Sequence, residues 1–515
     1  MIDRPSWMVL RRRGLERLVW AAVLTLLARS ASTAEGQPMA PRDRDLPYAR
    51  PADPNAASRP EASTARDLFR WYGVTDEDFA RFDQRPEGGA DEERMNARIL
   101  FRLGRLAPGE LSVFCVPLLE IDARAGRWIG QGVSIVGTAT RIVTRPIPED
   151  LRDAYEFNAY YRVDVRIDSG ASPSTIIVFA RNVPEAWLEH RLESLDEPVT
   201  LDGLLVERYE GEFPSPRATV LAGRVAWHPR SAEGRPPIPH GWLRLGRQGV
   251  DIGLFDGIRK SNGQDLNGGD RELFYQVLAA CSRPLAPHPI DPTDRSAFAL
   301  ESILTRPETW QGDWFAFRAD ARRITRILVD DQDIRTRFGI DAYFELDVTI
   351  PIDRPIRLQG TSKEEGATYE NVYPATVCAA RLPPALESLA TARKPSGSGT
   401  GLLREPVWIQ GYFLKIWAYP SDFVSAVSPN QRHPSPLFLA SAIERLPPTK
   451  VPSEGRFSVI AAIGLVLVLG SVWLTVWFSA RRDRASARAR RRAASDRLDP
   501  PGGRRTEPSK DDLGD

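Results

Sequence analysis

The chain has 515 residues, of which 42% are hydrophobic and 27% charged, a composition ordinary for globular protein and a length that implies two to four domains. Its net charge of +1 gives no global field that would draw nucleic acid or an acidic partner. Arginine greatly outnumbers lysine, which reads as a GC-rich genome rather than a binding surface.

In chain order, Arg11, Arg12, Arg13 and Arg17 precede an apolar run from Leu18 to Ala28. That run has the ~7–15 residue length of a signal-peptide core, and Ser32-Thr33-Ala34 follows as a cleavage site. Residues 1–34 are therefore expected to be a signal peptide and 35–66 a mobile linker rich in Pro, Ala and Arg.

A module over 67–228 comes next. Its helical prelude passes through Gly73-Val74 and Phe79 to a helix near Asp91–Leu103, where Met95, Ile99 and Leu103 recur every four residues. A strand pattern follows Trp128-x-Gly130, with Val133, Ile135, Gly137 and Ala139 alternating. The run AYYRVDVRI (Ala159 to Ile167) is a second strand. Thr175 to Ala180, followed by Arg181, is a third; Pro184 to Ser194 is helix-prone; Glu197-Pro198-Val199 opens a fourth, and Leu221-Ala222 lies in a fifth.

After a linker at 229–247 the same pattern returns over 248–446. Gly249-Val250 and Phe255 match the prelude, and Asp270 to Cys281 is helical, with Leu273, Phe274, Val277, Leu278 and Cys281 on one stripe. Trp310-x-Gly312 leads into Phe315, Phe317, Ala319 and Ala321. The run AYFELDVTI (Ala342 to Ile350) repeats the second strand. Ala375 to Ala380 followed by Arg381, Glu405-Pro406-Val407 and Leu439-Ala440 repeat the rest. Lys394 to Gly401 is a Gly/Ser insertion confined to this copy.

A Pro-rich stretch at 447–456 precedes Phe457 to Ala480, 24 residues without a charge. As a helix at ~1.5 Å per residue, that stretch is long enough to cross a ~30 Å hydrocarbon core. The arginines from Arg481 onward set its cytoplasmic side, and the tail 481–515 is expected to be disordered.

The order strand-strand-strand-helix-strand-strand, with barrels at about 126–228 and 308–446, resembles the OB fold, with a β-sandwich or SH3-like barrel of similar strand count as the alternative. The expected fold class is thus α+β, two copies of a helix-plus-five-stranded OB-like barrel module with one C-terminal transmembrane helix. The resemblance implies that the face of the second and third strands is where an extended ligand would lie. On that face stand Tyr160 and Asp164 in one copy, and Tyr343 and Asp347 in the other, as ligand-binding candidates. The competing reading is that each Asp pairs with a cross-strand Arg or simply solvates the face while the Tyr packs at the barrel edge. Arg141 and Arg323, each ending a strand, likewise read as ordinary surface ion pairs.

No catalytic constellation is visible. The five histidines show no metal-ligand spacing, the three cysteines form no CxxC, and neither Asp330-Asp331-Gln332-Asp333 nor Asn262 to Glu272 has a calcium-loop spacing. No metal or cofactor is expected. The sequence therefore predicts a non-enzymatic, membrane-anchored, extracytoplasmic binding or assembly module of a bacterial envelope. Its partners are the membrane and a protein or glycan, with nucleic acid excluded because the barrels lie outside the cytoplasm and lack a basic, aromatic groove. The alternatives are a hydrolase whose carboxylates converge in space, and a structural spacer.

Overall fold

The computed structural model describes residues 62–447, interrupted at 84–89, 122–128, 156, 169–172, 190–193, 210–216, 232–237, 284–299, 359–366, 393–402 and 420–431, together with 464–479 and 481–482. The expected signal peptide, the Gly/Ser insertion and nearly all of the basic tail lie outside the described residues. Residues up to Pro447 fall in one compact unit and Pro448–Asp515 in another.

Seven strands form the first sheet: β1 (Cys115–Pro117), β2 (Gln131–Pro146), β3 (Ala159–Asp168), β4 (Pro173–Asn182), β5 (Glu197–Tyr209), β6 (Arg217–Arg224) and β7 (Ala226–Trp227). They lie in the order β1-β2-β3-β4-β6-β5-β7, and β2 is also paired with β5 from Gln131–Leu205 to Ala139–Glu197. The second half holds β8 (Trp314–Leu328), β9 (Ala342–Pro351), a small ribbon of β10 (Ile356–Arg357) and β11 (Thr368–Tyr369), then β12 (Val372–Ala379), β13 (Thr391–Ala392), β14 (Glu405–Tyr419) and β15 (His433–Arg445). Its main sheet runs β13-β8-β14-β15-β12-β9, and β8 pairs with β9 as well, so five strands close into a barrel. In that barrel β12 and β15 are parallel, and the helix Pro384–Glu387 lies between the third and fourth barrel strands, which is OB-like order.

The expectation of two matching five-stranded modules with a spanning helix is corrected on two counts. The sheets have seven and six strands rather than five each. In addition, no helix among the described residues is long and apolar enough to cross a membrane. Within the expected span residues 464–479 are helical, and the remainder of the span lies outside the described residues. The membrane anchor, the single-pass topology and the extracytoplasmic placement built on them are withdrawn, and with them the membrane as a partner.

The repeated Trp-x-Gly has a backbone cause. Gly130 and Gly312 have φ of 79° and 81°, a left-handed conformation that side chains disfavour. Each donates its N–H across the sheet, Gly130 to the Leu205 carbonyl and Gly312 to the Phe413 carbonyl, both at 2.7 Å. The turn fixes where the first barrel strand starts. A bulge at matching positions, between Ala139 and Arg141 and between Ala321 and Arg323, then bends each long strand.

Part of the expected linker at 229–247 is core. The helix His240–Arg247 buries Trp242, Leu243 and Leu245. With Phe255–Lys260 and Arg271–Ser282 it forms a helical layer against both sheets. One continuous apolar core runs from Val163, Val178 and Val220 through Trp242, Phe255, Phe274 and Leu278 to Tyr343, Tyr412 and Leu439. The prelude of the second copy is thus shared packing for both.

Two carboxyls in this layer titrate unusually high. Burial pushes Asp256 up to about 6, against the Glu185 N–H that it accepts and the nearby Arg259. Burial likewise pushes Asp313 up to about 6, against a Gly241 N–H. The folded state holds these protons to higher pH than the unfolded chain, so their contribution is present at low pH and lost as pH rises from about 4 through about 6. Replacing both with Asn is expected to remove up to about 2–3 kcal/mol per group of the stability lost across that window. Urea unfolding of both proteins at pH 4.5 and 7 reads the difference; an identical pH dependence would refute it.

Candidate functional site

The four residues expected on the ligand face are occupied within the fold. Tyr160 is buried in the cluster that the first prelude forms over the sheet, beside Leu68, Phe69 and Ile99. Its ring meets Phe179 edge-on at 5.7 Å. Tyr343 is fully buried beneath the helix Arg271–Ser282, edge-on to Phe274 at 5.5 Å and Tyr275 at 6.3 Å. Asp347 stands opposite Arg323 in the β8–β9 register and is bridged to it at 2.6 Å, the cross-strand pairing weighed from the sequence. Asp164 stands opposite Arg141 but bridges Arg162 on its own strand at 2.9 Å. The helical preludes cover the tyrosines in both copies, so the two Tyr-Asp pairs do not line a common open groove.

Open polar space lies elsewhere, at the end of the second barrel where β8 finishes, β9 begins and β12 gives way to the chain after it. A pocket of about 390 Å³ there is lined by Arg326, Asp341, Arg381 and Glu387, over a floor that includes Ile340, Phe344 and Leu382. All four charged residues are exposed. Among the described residues none of their side chains is held in a hydrogen bond or ion pair. Two guanidiniums present forked donors suited to a carboxylate or phosphate. Two carboxylates present acceptors for an ammonium group. The volume is within the ~300–1,000 Å³ of small-molecule sites.

The local fold explains why Arg381 faces this space. The sequence aligns Arg381 with Arg181, but the strand pairing shifts that match by one residue. Ala180 stands opposite Tyr161 and beside Ala222, while Ala379 stands opposite Phe344 and beside Ala440. Arg181 therefore corresponds to Ala380, and Arg381 to Asn182. A one-residue slip reverses the face a side chain takes. Arg181 turns onto the first prelude, over the Phe157 ring at 5.0 Å with Nη1 3.5 Å from the Phe101 carbonyl. Arg381 turns to the pocket. By the same registers Arg326 replaces Thr144, and Asp341 replaces Asn158, whose carbonyl accepts the Ile147 N–H as that of Asp341 accepts the Val329 N–H.

The charged pocket is thus a property of the second copy. Sequence reasoning missed Arg326, Asp341 and Glu387, because it weighted what the copies share, and these residues are where they differ. No group of three or more His, Cys, Asp or Glu that could hold a metal ion occurs among the described residues. Burial raises the thiols of Cys115, to about 12, and Cys281, so neither is poised as a nucleophile at neutral pH.

No protein-family model matches the chain, and no curated protein does. Among solved structures it is similar to a small single-stranded DNA-binding protein from Streptomyces coelicolor, at 16% identity over 26% of this chain and 94% of that one, with a TM-score of 0.15. It is also similar to the wild-type single-stranded DNA binding protein from Thermus aquaticus, at 11% identity over 62% and 94% of the two chains, with a TM-score of 0.14. At such scores the likenesses carry no argument, and the OB-like order rests on this chain's own strand pairing. The exclusion of nucleic acid is nevertheless withdrawn, since it leaned on an extracytoplasmic placement that the described helices do not support.

Proposed function

We propose that this chain is a binding protein, without catalysis, whose site is the pocket at the end of the second barrel, and that its ligand is a small zwitterion such as a free amino acid or a short peptide. The observation that carries this reading is the pairing in one pocket of two guanidiniums with two carboxylates, none of them held by another side chain among the described residues. Exposed charges of both signs around one concavity suit a ligand carrying both charges. The pocket offers no histidine and no activated thiol, so binding rather than turnover is what its chemistry supports. The shared helical layer holds the strands that carry it, giving the site a rigid base.

Calorimetric titration of the full chain with a panel of amino acids and di- and tripeptides tests the proposal. The doubly substituted Arg326→Ala/Arg381→Ala protein is expected to bind at least ~10-fold more weakly, since loss of about 1.4 kcal/mol per decade is within what charge-assisted hydrogen bonds supply. Both arginines are exposed, so the melting temperature should hold. Equal binding by the two proteins, or none at millimolar ligand, would defeat the proposal.

A further inference from the structure

Away from the pocket, three side chains meet in an enclosed site between the helical layer and the second barrel. Lys415 on β14 is 0% exposed and Asp270, just before the helix Arg271–Ser282, is 1% exposed. Lys415 Nζ donates to Asp270 Oδ2 at 2.8 Å and to Ser261 Oγ at 2.8 Å. Ser261 Oγ in turn donates to Asp270 Oδ1 at 2.6 Å, and the Asn267 N–H reaches Oδ2 at 3.2 Å. An amine, a carboxyl and a hydroxyl are held in one closed triangle.

We propose that Lys415 and Asp270 condense to an intramolecular amide that covalently ties the helical layer to the barrel, with Ser261 relaying the proton. The groups are sealed from solution, so the only electrophile that the amine can reach is the carboxyl beside it. The 2.8 Å contact to Oδ2 holds the amine against the carboxyl with no other group between them, and fixed neighbours that reach attack geometry react with effective molarities of about 10⁵ M or more. Burial lowers the proton affinity of Lys415 against the opposing pull of Asp270.

The step balances without any other reagent. A proton passes from the ammonium to the carboxylate. The nitrogen lone pair attacks Cγ and forms the C–N bond. The C–OH bond then breaks, and the hydroxyl leaves as water with a second proton from nitrogen, carried through Ser261 Oγ, which touches both Nζ and the carboxyl group. Ammonium and carboxylate become one amide and one water, and nothing is oxidised or reduced.

Tryptic mapping of the purified, unmodified full chain reads this directly. If the bond forms, Ser261–Arg271 and Glu405–Arg432 are recovered as one branched peptide, lighter than their sum by one water, with no cleavage after Lys415. The Ser261→Ala protein should then yield a mixture of branched and unbranched peptides, and Lys415→Met none of the branched species. Recovery from the unmodified chain of Ser261–Arg271, Glu405–Lys415 and Ile416–Arg432 as separate peptides of full mass would overturn the proposal, whatever the variants do.

Discussion

Replacing Asp251 with alanine is expected to destabilise the unit ending at Pro447 by about 3 kcal/mol, toward the lower end of the ~3–5 kcal/mol that follows loss of one partner of a buried ion pair. Asp251 is 2% exposed and serves four groups at once. Its Oδ1 accepts the Trp227 N–H at 2.9 Å and the Gly253 N–H at 3.0 Å, its Oδ2 bridges Arg224 at 2.7 Å, and its own N–H donates to Gln276 Oε1 at 2.8 Å. Alanine leaves two N–H donors without acceptors where water is excluded. Arg224 is 40% exposed and can turn back to solvent, which is why the lower end applies. Asn keeps one acceptor oxygen and should cost about 1–2 kcal/mol. Urea midpoints measure both, and a loss below about 1 kcal/mol for alanine would show that Asp251 is not the pin between β6–β7 and the helical layer.

The second large effect is expected at Trp242, where alanine should cost about 3–5 kcal/mol. The indole stacks on Phe255 at 5.4 Å, meets Trp227 edge-on at 6.4 Å and lies under the Arg259 guanidinium at 5.1 Å. Its Nε1–H donates to the Gln311 carbonyl at 2.6 Å, next to the left-handed Gly312 that starts β8. One side chain therefore reaches the first sheet through Trp227 and the second through Gln311. Removing it should lower the unfolding midpoint of both sheets together, so circular dichroism and tryptophan fluorescence should shift by the same amount. Separate transitions by the two probes would mean that the sheets do not share one core.

Much of this architecture is legible in the residues. Alternation at Val133, Ile135 and Ala139 and at Phe317, Ala319 and Ala321 marks buried strand faces, because a pleated strand turns every second side chain inward. The four-residue spacing of Met95, Ile99 and Leu103 marks the helix Ala90–Leu103. What escapes is non-local. Nothing around His240 to Arg247 says that a segment between two repeats is the buried layer joining them; that depends on Trp242 finding Trp227 and Gln311 from across the chain. Two-residue strands such as β7 and β13 have no period to read.

The site was less legible than the fold, for a definite reason. Tyr160 and Tyr343 drew attention because they recur, yet they recur because each prelude needs a large ring beneath it. Arg326 and Asp341 stand where the other copy has Thr144 and Asn158, and a comparison that seeks likeness passes over them. The sequence alone aligns Arg381 with Arg181, and only the pairing of Ala379 with Phe344 shows which way it turns.

The most direct test of the binding account is calorimetric titration of the unmodified chain with a bound short peptide, set against the same peptide acetylated at its amino end or amidated at its carboxyl end. Recognition of a zwitterion by Arg326 and Arg381 on one side and Asp341 and Glu387 on the other predicts that each blocked form binds at least ~10-fold more weakly than the free peptide, about 1.4 kcal/mol or more. Equal affinity for all three forms would contradict it.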